Sequence, residues 1–178
     1  MKKIKIQCFK TPFGELILGA FKGKICLCDW KYRRMRTAID RRIQRGLEAS
    51  YEEKSSPVIQ EAQSQLEAYF DVKRNDFEVP LLLVGTPFQK QVWQELLKIP
   101  YGKTESYSGL SKKMHNEKAI RAVAAANGAN AISIFIPCHR IIGSNGEPVG
   151  YAGGTTTKKR LLQLEKGIKG LDQLTLFD

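Results

Sequence analysis

Thr86-Pro87-Phe88-Gln89, continued by Lys90-Gln91-Val92-Trp93-Gln94-Glu95-Leu96, marks the point where the chain changes from strand to helix patterning. Threonine caps a helix well, proline suits the first helical position, and glutamine three residues after the cap completes a capping box. A helix therefore starts here and runs to about Ile99, where Pro100-Tyr101-Gly102 turns the chain. Upstream the signals are those of a sheet. Ile4, Ile6 and Cys8 alternate along one strand, Thr11-Pro12-Phe13-Gly14 makes a turn, and Leu16 to Phe21 with Ile25 to Trp30 form a hairpin closed by Lys22-Gly23-Lys24. Tyr32 to Leu47 reads as a very basic helix whose arginine face is expected to be solvated. Ser50 to Pro57 is polar and reads as a connection. Val58, Ala62, Leu66 and Tyr69 then recur at helical spacing, and Phe77 to Val84 is extended.

Downstream of Thr86, a short helix near Ser108 to Met114 and a second near Lys118 to Asn127 are joined by His115-Asn116-Glu117, the size and spacing of a helix-turn-helix. The second helix carries Arg121-Ala122-Val123-Ala124-Ala125-Ala126. Methyl groups around one arginine allow close approach to DNA but cannot read a base sequence. A glycine-rich loop, Gly143 to Gly154, leads to a last helix near Thr156 to Lys166, and the tail from Gly167 to Asp178 is expected to be loosely held. The fold class is thus α+β. Residues 1–85 form a small N-terminal antiparallel sheet with helices, and residues 86–178 form a mainly helical domain.

The formal charge of +11 and the pI near 9.6 favour a polyanionic partner, nucleic acid first. No run of residues approaches the roughly 20 apolar positions of a membrane span, and the N-terminus lacks an apolar signal core, so a cytoplasmic protein is expected. Four cysteines in such a chain are read as free thiols. Cys26 and Cys28 are expected on the same side of one strand. With only two histidines and no second closely spaced cysteine pair, no metal site and no cofactor are expected.

Ile134-Phe135-Ile136-Pro137-Cys138-His139-Arg140-Ile141-Ile142 is a short apolar strand interrupted by a reactive tetrapeptide, in which proline ends the ladder and presents Cys138. A thiol of pKa about 8.5 is mostly protonated at neutral pH, and His139 and Arg140 are the neighbours that could raise its thiolate fraction. Cys8, Cys26 and Cys28 lie on strands with no adjacent histidine and read as packing.

Pro137-Cys138-His139-Arg140, preceded by Asn130 and followed by Gly150-Tyr151-Ala152-Gly153-Gly154, resembles the signature of the methylated-DNA–protein-cysteine methyltransferases, the O6-alkylguanine-DNA alkyltransferases. The resemblance covers nearly the whole chain. TPFGELILGA (11–20) resembles the family's N-terminal domain, and TPFQKQVWQELLKIPYGKTESYSGL (86–110) resembles the start of its catalytic domain. It implies a ribonuclease H-like N-terminal domain and a winged helix-turn-helix-like catalytic domain. It also implies repair of double-stranded DNA by direct, irreversible and stoichiometric transfer of the alkyl group from O6-alkylguanine to the protein, with no obligate protein partner. By the same resemblance Cys138 is the acceptor, His139 activates it through a water, and Glu165 orients His139. Asn130 braces the site and Tyr107 donates a proton to the departing guanine. Arg121 fills the gap left by the flipped nucleotide, with Ala122, Tyr151, Ala152 and Lys158 also on the DNA or substrate side. Members often have proline where Ala131 stands and some have serine where Ala152 stands; the zinc-binding histidines of human-type members are missing.

Three other readings compete. A lesion binder of the alkyltransferase-like kind typically has tryptophan in place of the cysteine, and Cys138 argues against it. A helix-turn-helix regulator would need a helix richer in hydrogen-bonding side chains. A cysteine hydrolase would need an oxyanion-hole motif, and adjacency of Cys138 and His139 in sequence does not make a thiol–imidazole pair.

Overall fold

Strands β1 (Lys2–Thr11), β2 (Gly14–Phe21) and β3 (Lys24–Trp30) form two antiparallel pairs, with Cys8 opposite Ile17 and Leu18 opposite Cys28. The computed structural model describes residues 1–167; the tail expected to be loosely held lies, apart from Gly167, outside the described residues. Leu16, Leu18 and Ala20 project from one face of β2 into a core shared with helix α2 (Pro57–Phe70). The other face is covered by α1 (Arg36–Leu47) through Ile39 and Ile43. The expected basic helix begins four residues later than its sequence pattern, because residues 31–35 turn back toward the second half of the chain. One strand lies where a connection was expected. Ala49–Glu53 forms β4, which pairs in parallel with β1 at the sheet edge, giving the order β3-β2-β1-β4.

A register shift between Gly19 and Ala20 corrects the expected placement of two cysteines. Leu18 faces Cys28, Gly19 faces Leu27 and Ala20 faces Ile25, so Cys26 is the extra residue of a bulge. The bulge breaks the alternation of side chains. Cys28 therefore joins the core under α2, whereas Cys26 joins the one under α1. Among the described residues no group of three or more His, Cys, Asp or Glu side chains could hold a metal ion, and no helix is long and apolar enough to cross a membrane.

The second half starts on the capping box. Thr86 Oγ1 accepts from the Gln89 amide at 3.1 Å, the Gln89 side chain accepts from the Thr86 amide at 3.0 Å, and α3 (Pro87–Leu96) follows. Next come α4 (Tyr107–Lys113) and α5 (Ile120–Gly128), separated by a bend at His115 and one 3-10 turn. Strands β5 (Glu105–Ser106) and β6 (Ile141–Ile142) make a two-stranded parallel wing, and α6 (Thr155–Glu165) closes the described chain. Trp93 of α3 anchors α5 by donating its indole N–H to the Ala126 carbonyl at 2.8 Å.

The two halves are joined by the arginines whose face the sequence suggested was solvated. Arg34, Arg41 and Arg45 are exposed, but Arg33, Arg36 and Arg42 are not. Arg33 Nη1 donates to both carboxylate oxygens of the fully buried Asp29 (3.0 and 3.1 Å) and to the Asn130 carbonyl (3.1 Å), and Nη2 donates to the Gly128 carbonyl (2.7 Å). Arg42 donates to the Ala129 carbonyl at 2.8 Å, and Arg36 bridges Asp29 and Asp40. These carbonyls are the unpaired ones at the end of α5, so cations there satisfy them and complement the helix dipole. Burial pushes the Asp29 carboxyl above its ordinary value while Arg33 and Arg36 pull it down. Asp29→Ala should thus cost about 3–5 kcal/mol in urea unfolding, because it leaves Arg33 buried without a counter-charge. Lys98→Ala, at the exposed pair with Glu95, should cost less than about 1 kcal/mol. Equal losses in the two variants would refute the anchoring role of Asp29.

Candidate active site

Cys138 lies at the start of a 3-10 turn, Cys138–Arg140, and is 3% exposed. The residues before it do not form the expected strand. Ser133 and Ile136 bridge to each other, and Ile134 takes a positive φ of 74°. Asn130 provides the reason: its side-chain amide donates to the Ile136 carbonyl at 3.0 Å and its oxygen accepts from the Ile132 amide at 2.9 Å, replacing the partners a neighbouring strand would supply. Ser133 is held to β3 by donating its amide to the Cys28 carbonyl. Burial pushes the Cys138 thiol up, against the lowering effects of the Asn130 amide and of the Lys158 and Arg33 charges. The thiol is therefore protonated at rest and needs a base in place.

His139, next in the chain, is fully buried, and its Nε2 lies 2.7 Å from Glu165 Oε1. Glu165 is the acceptor for a dense set of donors. Arg140 Nε reaches Oε2 and Arg140 Nη2 reaches Oε1, both at 2.9 Å, and the Tyr69 hydroxyl donates to Oε1 at 2.8 Å. The Gly102 amide donates to Oε2 at 3.3 Å, from a positive φ of 76° that glycine tolerates. Burial opposes ionisation of Glu165, but His139 and Arg140 hold its carboxyl well below the usual range. An anion at Oε1 fixes the proton of His139 on Nε2, leaving Nδ1 as the acceptor. Nδ1 is buried and has no protein partner among the described residues. Burial, followed by the charges of Arg140 and Lys158, outweighs Glu165 and lowers the His139 pKa, so the imidazole is neutral at neutral pH. Arg140 thus does not act on the thiol as its sequence position suggested. Its guanidinium points away, to Glu165 and to the Ile99 carbonyl at 2.6 Å.

Above Cys138 opens a cavity of about 320 Å³ whose lining includes Tyr107, Ala124, Asn127, Tyr151 and Ala152. Burial raises the pKa of Tyr107, so its hydroxyl is protonated and able to donate. The loop carrying Tyr151 is held from below by Lys158, whose ammonium donates to the carbonyls of Val149 (2.9 Å) and Gly150 (3.1 Å) and is pushed down to about 8 by burial. It is held from the side by Trp30, whose indole N–H donates to the Tyr151 hydroxyl at 3.1 Å. Gly153 lies so close to Trp30 that a Cβ there would sit 2.8 Å from the ring. Arg121 and Ala122 lie apart from these groups, exposed on the outer face of α5 with Ala125.

Cys138, Tyr107, Tyr151 and Ala152 therefore meet at the cavity, with Asn130, His139 and Glu165 behind it and Lys158 under the loop. Sequence reasoning missed Tyr69, Trp30 and Arg33, all from the N-terminal half. Tyr69 was read as a core residue of an amphipathic helix; its hydroxyl finds a partner 96 positions away, a relation no local pattern carries.

Two family models match the chain: the ribonuclease-like domain of 6-O-methylguanine DNA methyltransferase over residues 4–83 and its DNA-binding domain over residues 87–167. The constitutive methylated-DNA–protein-cysteine methyltransferase of Bacillus subtilis is 39% identical over 166 residues, covering 88% of this chain and 92% of that protein. The methylated-DNA–protein-cysteine methyltransferase of Mycobacterium leprae is 50% identical over 118 residues, 66% of this chain and 71% of that one. The crystal structure of Mycobacterium tuberculosis OGT in complex with DNA superposes with a TM-score of 0.80 at 36% identity, covering 99% of each chain.

Proposed function

The chain belongs to the 6-O-methylguanine DNA methyltransferase family, and from that membership we infer that it repairs DNA by taking the alkyl group of O6-alkylguanine onto Cys138, once per molecule. The observation that carries the assignment of Cys138 is the chain of groups behind it: Glu165 orients His139, and the free Nδ1 of His139 is left to act on the thiol. A water between Nδ1 and Sγ relays the thiol proton to the imidazole. The thiolate attacks the alkyl carbon, the S–C bond forms and the bond from carbon to guanine O6 breaks. Guanine leaves as an anion that takes a proton from the Tyr107 hydroxyl; the proton lost by the thiol restores the balance through His139. The product thioether has no leaving group that water or a second thiol can displace, so turnover ends.

The carbon attacked lies inside stacked duplex, so the nucleotide is extruded into the 320 Å³ cavity. The exposed face of the helix-turn-helix suits this. It carries Lys112, Lys118 and Arg121, while Ala122 and Ala125 let α5 approach closely without reading bases. DNA affinity should then depend weakly on sequence and steeply on salt. Between about 50 and 200 mM salt it should drop by 10³-fold or more for roughly six phosphate contacts, as measured by fluorescence anisotropy with two unrelated duplexes. A flat salt response, or strong preference for one undamaged duplex, would instead favour a sequence-specific regulator. Incubation with an O6-methylguanine oligonucleotide followed by intact-mass spectrometry tests the transfer itself.

A further inference from the structure

The proposed transfer and extrusion draw on Cys138, Tyr107 and α5, all from the second half of the chain. Arg33, Arg34 and Met35 of the N-terminal half also line the cavity. These consecutive side chains differ in what they do. Arg33 is buried and fully engaged by Asp29 and the end of α5. Arg34 is exposed and makes no hydrogen bond or ion pair among the described residues. Its potential local partners are occupied: Asp29 holds Arg33 and Arg36, and Asp40 holds Arg36 and Tyr51. Met35 is 54% exposed at the mouth, and Tyr32 beside it is 81% exposed.

A base seated in this cavity necessarily places its sugar and two flanking phosphates at the mouth, since only one bond separates base from sugar. Part of that mouth is α5, through Ala124, Asn127 and Gly128; another part is this segment, where Arg34 offers a cation without a partner among the described residues. We propose that Arg34 binds a phosphate flanking the extruded nucleotide while Met35 packs against its sugar, making the N-terminal half a second jaw of the DNA site. The proposal rests on the reading that the alkylated nucleotide is drawn into this cavity. Arginine suits the role because its planar donors match phosphate oxygens and need no desolvation of a prior partner.

The test measures affinity for a fluorescent O6-methylguanine duplex across a salt series, in a Cys138→Ala background so that the lesion stays unreacted. Arg34→Ala should weaken binding about 3–10-fold near 0.1 M salt and reduce the salt slope by roughly one phosphate contact. Arg34→Lys should keep most of the affinity. Arg45→Ala, which removes an exposed charge from the last turn of α1, should leave both quantities unchanged. With Cys138 present, Arg45→Ala should react with free O6-benzylguanine at the parental rate, and Arg34→Ala should lose less in that reaction than in repair of the duplex. Unchanged affinity and slope in Arg34→Ala, an equal loss in Arg45→Ala, or a free-base reaction slowed by Arg34→Ala as much as duplex repair would each overturn the proposal. Failure of the parental protein to alkylate Cys138 at all would instead sink the reading of the cavity on which it rests.

Discussion

After incubation with a duplex carrying O6-methylguanine, the protein should gain one increment of about 14 Da, the mass of a methyl group replacing a proton, on Cys138 and on no other thiol. The surroundings of the four cysteines account for the selectivity. Cys26 is pushed up to about 12 by burial, and burial with the adjacent Asp29 places Cys28 well above the ordinary thiol range. Cys8 is exposed on β1 and does not line the cavity. Cys138 is also raised by burial, yet it alone lies at the floor of the cavity and next to His139 in the chain. Cys138→Ala and Cys138→Ser should both abolish transfer, the serine because its hydroxyl is far too weak an acid for this base to ionise. Both should keep DNA affinity, since the contacts proposed for DNA lie outside the cavity floor. A methyl group found on Cys8, or transfer surviving in Cys138→Ala, would refute the assignment.

Much of this was legible because it is written in local chemistry. The capping box at Thr86 and Gln89 is complete within four residues, and α2 shows its buried side through Ala62, Leu66 and Tyr69. The Pro137–Arg140 tetrapeptide marks Cys138 as the candidate by its composition, and the structure places it in the lining of the cavity. What stayed hidden depends on partners distant in sequence. Ala49–Glu53 has the polar content of a loop and becomes a strand because β1 offers it an open edge. The bulge at Gly19 and Ala20 separates Cys26 from Cys28 although alternation places them together. The arginines of residues 33–42 read as a solvated face, because no local signal shows that Asp29 and the carbonyls of residues 128–130 will absorb three of them. The N-terminal half is thus more than a support: Tyr69, Trp30 and Arg33 reach the carboxylate, the loop and the helix end that shape the site.

Arg121→Ala and Glu165→Gln should separate extrusion from chemistry. Arg121 is exposed on α5 and has no partner among the described residues, so its removal leaves the cavity intact. Repair of duplex DNA should slow about 10- to 10³-fold, the kinetic equivalent of a few kcal/mol of lost help in flipping, whereas reaction with free O6-benzylguanine should hardly change. Glu165→Gln should slow both substrates by about 10²- to 10⁴-fold, as expected when a general base loses the anion that orients it. The direction of the pH effect follows from the charges around His139. Glu165 raises its pKa while burial, Arg140 and Lys158 lower it, so removing the carboxylate makes the imidazole a weaker base and lowers the plateau rate. Stability carries a second signature. Because the Glu165 carboxyl is held well below its ordinary 4.5, its contribution is present above that pH and is lost as the pH falls toward the folded-state value. Glu165→Gln should lack this component of acid sensitivity, and its unfolding at neutral pH shows how much of the rate loss reflects the broken contact with Arg140. If Arg121→Ala impairs the free base as severely as the duplex, the arginine supports the cavity instead of extrusion. A free-base rate untouched by Glu165→Gln would mean that the Glu165–His139 pair does not activate Cys138.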